Sequence, residues 1–138
     1  MRILIATGFE ASKDPFEILA QDYIRRTQAL FRPELRQVKP EKLLAVSEGY
    51  FRIVLDEKGL ELNSVQFSKH IQRLVDQSQS IAFLVGEPSG HRPETREKAD
   101  AVWSLSQLTL PHKLALCVLA EQIYRAGEIA RNGPYHRV

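Results

Sequence analysis

Apolar positions along this chain recur with two periods, and the switches between them mark its elements. Arg2–Thr7 is a short apolar run with β-branched content and predicts a buried strand, broken by Gly8. Asp14-Pro-Phe-Glu17 reads as a helix start: an Asp cap, a proline at the first helical position and a glutamate three residues after the cap. Phe16, Leu19, Ala20, Tyr23, Ile24 and Leu30 then fall at helical spacing and predict one inward face, ended by Pro33. Glu34–Val38 alternates as a strand. Pro40–Gly49 predicts a connection with at most a brief helix. Tyr50–Asp56 is a clear strand, closed by a turn at Glu57-Lys-Gly59.

Asn63 or Ser64 caps a helix with Phe67, Ile71, Leu74 and Val75 inward. Ile81–Val85 is apolar throughout, as in strands buried on both faces of a parallel sheet. Gly86–Gly90 follows as a loop, Pro93–Asp100 as a charged helix, and Ala101–Ser104 as a short strand. Leu105–Pro111 mixes leucines with small hydroxyl residues and predicts a loop. Lys113–Arg131 is the last helix, followed by a tail. Strands alternating with helices predict an α/β fold: a mostly parallel sheet with helices on both faces.

Ligands in such sheets bind where loops leave the carboxyl ends of strands. Gly86–Gly90 and Leu105–Pro111 both qualify and are placed to face each other across one crevice. The leucine and hydroxyl loop suits a ligand cradle; it equally suits a plain turn before a core helix. Gly86-x-x-x-Gly90 has the spacing of neither a dinucleotide fingerprint nor a phosphate-binding loop.

At 138 residues the chain, residues 1–138, reads as a single domain with enough length for a sizeable core. No stretch predicts a membrane span, and the N-terminus reads as a first strand, not a signal peptide. The one cysteine, Cys117, excludes an intrachain disulfide framework and fits a reducing, cytoplasmic compartment. No Cys/His cluster has metal-ligand spacing, so no metal is expected. Net charge is only +2 and does not select a partner. The cations do cluster, however, at Arg25, Arg26, Arg32, Arg36, Lys39 and Lys42, a pattern that fits either phosphate tracking or solvated helix faces.

The tail is unusual for a chain end because it holds a rigid proline, an aromatic and an imidazole, Tyr135-His136. Aromatics stack on splayed bases and histidine exchanges protons near neutral pH.

Four motifs occur in order: a strand ending in Gly86-x-Pro-x-Gly90, then Trp103-Ser-Leu-Ser-x-Leu-Thr-Leu-Pro-His112, then Glu121-Gln-Ile-Tyr-Arg-Ala126, then Asn132-x-Pro-Tyr-His136. Together they resemble the RlmH family, the bacterial 23S rRNA pseudouridine N3-methyltransferases of the SPOUT class. The match covers about the last third at motif level, and the strand at Tyr50–Gly59 and the Tyr23-x-Arg-Arg26 helix resemble the family's first half. The resemblance implies a SPOUT-type α/β fold with a C-terminal trefoil knot, a homodimer, and S-adenosylmethionine held in the knot. The implied cofactor contacts are Leu55, Gly86, Leu105, Ser106, Gln107, Leu108, Thr109 and Leu110. Tyr135 and His136 are implied at the target nucleotide, His136 as the candidate base that removes the N3 proton and Tyr135 as its stacking or hydrogen-bonding partner. The implied substrate is a pseudouridine of 23S rRNA on the assembled ribosome.

Three departures stand against an active enzyme and leave a non-catalytic RNA- or ribosome-binding SPOUT paralogue as the alternative. Glu87 replaces a usual glycine and brings a carboxylate toward the cofactor. Leu116 replaces a frequent arginine. The stretch Pro40–Gly49 is shorter than in the family, which opens the way to bare sheet surface or altered ribosome docking.

Overall fold

The computed structural model describes residues 1–87 and 89–137; Pro88 of the glycine loop lies outside the described residues. Five strands form one sheet: β1 (Ile3–Thr7), β2 (Glu34–Gln37), β3 (Phe51–Glu61), β4 (Ile81–Val85) and β5 (Ala101–Ser104). Their order is β2-β1-β4-β3-β5, and every pairing is parallel. The helices are α1 (Pro15–Arg26), α2 (Leu43–Val46, after a short 3-10 turn), α3 (Ser64–Asp76), α4 (Pro93–Glu97) and α5 (His112–Ala130).

Alternation along the strands sorts the core into two layers. Ile3, Ile5, Ile53, Ile81, Phe83 and Val85 pack with Ala20, Phe67, Ile71, Leu116, Leu119 and Ile123 from α1, α3 and α5. Leu4, Ala6, Val54, Ala82 and Leu84 point the other way, under Leu43, Val46, Ala99 and Val102. That second layer is thin, yet Leu4, Ala6, Val54, Ala82 and Leu84 are at most 1% exposed. The short Pro40–Gly49 stretch therefore leaves no bare sheet at these positions: Leu43, 3% exposed, and Val46 help to cover the face.

The inward face of α1 differs from the expected one. Ala20 is buried as expected, but Phe16, Leu19 and Leu30 are exposed, and Glu17 is buried in their place. The expected capping box is not made. Asp14 caps alone, its side chain accepting from the Phe16 amide at 2.8 Å. Glu17 instead turns inward, accepting from Gln37 Nε2 at 2.6 Å, from the Ser12 amide at 3.2 Å and from the Ser12 hydroxyl, with Lys113 Nζ at 3.6 Å. This carboxylate ties α1, β2 and the first turn of α5 together. Burial raises its pKa, but the Ser12 and Gln37 hydrogen bonds and the Lys113 charge prevail and hold it below the usual carboxylate range. A depressed carboxylate adds stability above its unfolded pKa, about 4.3, and loses it as pH falls through the folded value. Glu17→Gln is therefore expected to melt below wild type at pH 7, with the gap closing on acidification below about pH 4. A gap that stays constant from neutral pH to pH 3 contradicts this.

At β3 the expected turn Glu57-Lys-Gly59 does not end the strand. Leu55 and Leu60 both register with Trp103, so Asp56–Gly59 bulges out and β3 then rejoins β5. A bulge of this kind re-aims side chains beside a site.

Candidate cofactor pocket and tail

Three segments from adjacent strands enclose a cavity of about 350 Å³: the bulge within β3, the loop Gly86–His91 after β4, and the loop Leu105–Pro111 after β5. Seven of the eight implied cofactor contacts line it: Leu55, Gly86, Leu105, Ser106, Leu108, Thr109 and Leu110. Gln107 is the exception; its side chain turns to Glu61 and donates a hydrogen bond there.

The β5 loop is fixed by its own hydroxyls. Ser104 Oγ donates to the Ser106 carbonyl at 2.9 Å, and Ser106 Oγ accepts from the Leu108 amide at 3.0 Å. Thr109 Oγ1 donates to Glu57 Oε2 of the β3 bulge at 2.6 Å. With these hydroxyls engaged, the loop presents its leucines and free backbone groups to the cavity. Leu105 is half-buried against the core, whereas Leu108 stands at the rim, 76% exposed.

The β4 loop folds back on itself. Gly90 has φ +92°, a left-handed conformation that favours glycine, and its amide donates to the Glu87 carbonyl at 2.8 Å. A Cβ on Gly86 would sit 3.1 Å from the His91 ring and 3.2 Å from Gly90 backbone, so the loop closes tightly only with glycine there. Glu87, the unexpected carboxylate, faces Arg92 at 3.5 Å, and Arg92 also approaches Glu41 at 3.9 Å. Its charge is thus countered within the loop. Leu116, the second departure, is fully buried in the core. Arg96 pairs with Asp56 across the cavity mouth.

Sequence reasoning missed His91, which lines the cavity with Nε2 at 3.0 Å from the Leu84 carbonyl. Its signal was weak, a lone imidazole directly after the glycine loop.

The tail sits elsewhere. After α5, Asn132 takes φ +58° and turns the chain back on the helix. Tyr135 packs edge-on against Tyr124 at 4.6 Å, its hydroxyl donates to Glu121 Oε2 at 2.7 Å, and the Arg125 guanidinium lies 4.7 Å over its ring. Arg125 in turn pairs with Glu121 at 2.6 Å. Tyr124 carries the network on to Tyr23 and Arg26 of α1. Ala115 lines the cavity while Arg125 is ten residues further along α5, roughly 15 Å at 1.5 Å per residue. One chain therefore does not bring Tyr135 and His136 to the pocket.

The tail's proton chemistry follows from its contacts. Burial first, and the bond to Glu121 next, raise the Tyr135 phenol well above its usual pKa, so it stays a neutral donor. Arg125 Nη1 lies 3.1 Å from His136 Nδ1. Arginine only donates, so Nδ1 accepts and the neutral imidazole carries its hydrogen on Nε2. In this geometry Nδ1 is taken by Arg125, and Nε2 is the ring position left to meet a nucleotide.

Among the described residues no group of three or more His, Cys, Asp or Glu is placed to hold a metal ion, and no helix is long and apolar enough to cross a membrane.

Comparison with known proteins agrees with this architecture. The family described as "Predicted SPOUT methyltransferase" matches residues 1–136. Proteins named Ribosomal RNA large subunit methyltransferase H are similar over 69–99% of this chain. The one from Paramagnetospirillum magneticum is 37% identical over 99% of both chains, and that from Thermus thermophilus 42% identical over 85% of both. The relative from Hydrogenovibrio crunogenus is 47% identical over 69% of this chain and 61% of its own. Among solved structures, a probable methylase family protein from Haemophilus influenzae superposes with a TM-score of 0.63 at 12% identity, over 99% of this chain and 70% of that one. The SpoU methyltransferase AviRb from Streptomyces viridochromogenes, solved with the cofactor AdoMet, gives a TM-score of 0.52 at 16% identity, over 95% of this chain and 58% of its own. A parallel sheet ordered β2-β1-β4-β3-β5, a cavity between the β3 bulge and the loops after β4 and β5, and a family match over nearly every residue place this chain in the SPOUT methyltransferases, in the family of the ribosomal RNA large subunit methyltransferases H.

Proposed function

We propose that this chain is an S-adenosylmethionine-dependent methyltransferase that methylates N3 of a pseudouridine in 23S rRNA on the ribosome. It acts as a single domain, in the cytoplasm, as a homodimer, with the segment after β5 passing through the family's trefoil knot. The observation that carries the reading is the cavity at the strands' carboxyl ends, lined by seven of the eight residues that the family resemblance assigns to the cofactor. The names of the relatives, ribosomal RNA large subunit methyltransferases, support rRNA as the substrate. The AdoMet-bound AviRb, which shares the fold, supports the cofactor.

The residues fit that cofactor. Leucines from the β3 end and the β5 loop offer apolar walls for a flat ring, and the free backbone of the β5 loop offers donors and acceptors for its edge. His91 lines the same space. When bound, the cofactor supplies an electrophilic methyl group. The chain's own task is to hold N3 in line, exclude water and manage the N3 proton; positioning alone supplies roughly 7–11 kcal/mol in well-oriented systems. In this reading Tyr135 and His136 of one subunit meet the nucleotide over the pocket of the other. The separation of tail and pocket along α5 supports the shared arrangement. As the N3 proton leaves to water, charge gathers on the neighbouring carbonyl oxygen, and the Nε2–H of His136 stabilises it. Arg125, held by Glu121, keeps His136 in the tautomer that can do so.

The alternative, a paralogue without catalysis, rested on Glu87, Leu116 and the short middle. Glu87 is countered by Arg92, Leu116 fills the core, and the sheet beneath the short stretch is buried. Calorimetric titration with S-adenosylmethionine tests the cofactor reading: one site per chain with micromolar affinity is expected. No heat of binding up to millimolar cofactor refutes it.

A further inference from the structure

We propose that Arg26 is a further rRNA-binding residue, its guanidinium held beside the tail to take a backbone phosphate of the target nucleotide or of one next to it. The inference rests on the rRNA methyltransferase reading above and adds to it a contact that the family resemblance does not assign.

The clustered cations of the sequence fit phosphate tracking and solvated helix faces equally well. The structure sets Arg26 apart from the others. It is the last residue of α1, where that helix lies against the tail end of α5. Its guanidinium carbon sits 4.9 Å over the Tyr124 ring and 5.4 Å over the Tyr23 ring. Those two rings are 5.8 Å apart and tilted at 42°. Tyr124 packs on Tyr135 at 4.6 Å, and His136 follows Tyr135 in the chain. A nucleotide that meets His136 therefore brings its backbone alongside Arg26 of the same subunit.

A guanidinium resting on ring faces keeps its N–H fork free in its own plane, and that fork matches phosphate oxygens two at a time. The Arg26 side chain is 48% exposed, so it is reachable from solvent. Charge balance makes it the cation to spare. Arg125 is bound by Glu121 at 2.6 Å and Arg131 by Glu128 at 2.7 Å. Asp22 serves two guanidiniums, Arg25 at 2.6 Å and Arg26 at 3.5 Å. Four arginines thus share three carboxylates around the tail, and Arg26 holds the longest of the four pairs. An exposed pair at that separation is worth little and yields readily to a phosphate. The tyrosines already hold the side chain in place, which lowers the entropy lost on binding. Phosphate contacts set register and carry no sequence information. Arg26 accordingly seats the RNA strand over the tail and leaves the choice of base to the site itself.

The test measures methylation of 70S ribosomes lacking the modification by wild type, Arg26→Gln and Arg26→Lys, over a range of ribosome and salt concentrations. Arg26→Gln is expected to raise the KM for ribosomes about tenfold with kcat near wild type. Its plot of log kcat/KM against log salt is expected to be shallower by about one. Arg26→Lys keeps the charge and loses the fork, so it is expected to keep the wild-type salt slope with an intermediate KM. Both variants are expected to bind S-adenosylmethionine and to melt as wild type does. A residue that merely braces the tail gives the opposite split: kcat falls as His136 shifts, the salt slope stays, and lysine is no better than glutamine. That outcome, or an unchanged KM in Arg26→Gln, overturns the proposal. A wild-type measurement decides the matter if the variants fail to fold. Bound ribosomes are expected to protect Arg26 from an arginine-selective dicarbonyl reagent, read by peptide mass spectrometry; an Arg26 modified as fast with ribosomes as without them overturns the proposal. Wild type that binds S-adenosylmethionine but labels no ribosome is a different result: it removes the rRNA reading itself, and the proposal with it.

Discussion

Replacing His136 by alanine lowers methyl transfer about 10²–10³-fold and leaves the dissociation constant of S-adenosylmethionine within about twofold. The reason is distance. His136 sits with Arg125 on the far half of α5, while the cofactor cavity reaches only the first turns of that helix. The loss falls on turnover because the imidazole meets charge that develops only as N3 is methylated. Its chemical role is separable. With Nδ1 occupied by Arg125, His136 acts through Nε2–H, so His136→Gln, which keeps an N–H donor, is expected to recover part of the lost rate. A base would not be rescued in this way, and a glutamine variant as inactive as alanine contradicts the donor role. Mixed dimers test the shared site. Combining His136→Ala subunits with Gly86→Phe subunits, whose pockets are blocked, is expected to restore roughly a quarter of wild-type activity if tails serve partner pockets. If each chain serves itself, the mixture stays inactive.

The largest expected effect on folding lies at Gly59. A Cβ there would lie 2.7 Å from the Val102 carbonyl oxygen and 2.8 Å from the Trp103 carbonyl carbon. Both are backbone atoms of β5, fixed by the ladder that β3 rejoins at Leu60. Neither can move without breaking that pairing. Overpacking in cores costs about 1–3 kcal/mol where side chains can yield, and here none can, so Gly59→Ala is expected to cost at least about 3 kcal/mol in urea unfolding. The bulge carries Leu55–Lys58 along the cavity wall, so cofactor affinity should fall with stability. A Gly59→Ala protein of wild-type midpoint would show that β3 and β5 do not pack this closely.

The sheet was legible because its strands announce themselves: Ile81–Val85 is apolar on both faces and lies in mid-sheet, as such a run should. Strand order was not legible, since parallel strands are joined by crossovers whose landing points no local pattern encodes. The inward face of α1 misled for a specific reason. Periodicity counts Phe16 and Leu19 as core and Glu17 as polar, but Glu17 finds Ser12, Gln37 and Lys113 from three other segments, partners that only the folded chain supplies. The β3 bulge was hidden because Glu57-Lys-Gly59 has turn composition, and the strand's return depends on Gly59 lying flat on β5.

The pocket was legible through the motif around Leu105–Leu110 and much less through chemistry. Ser106 and Thr109 line the cavity, and their hydroxyls also brace the loop. His91 carried only a weak signal, a lone imidazole directly after the glycine loop.

The central claim is methyl transfer to one nucleotide. Purified protein, labelled S-adenosylmethionine and 70S ribosomes from a strain lacking this methylation test it most directly, with the 23S rRNA digested and read by mass spectrometry. The expected result is one labelled product, N3-methylpseudouridine, formed with wild type and lost with His136→Ala. Label on another nucleotide, or none despite measured cofactor binding, contradicts the account.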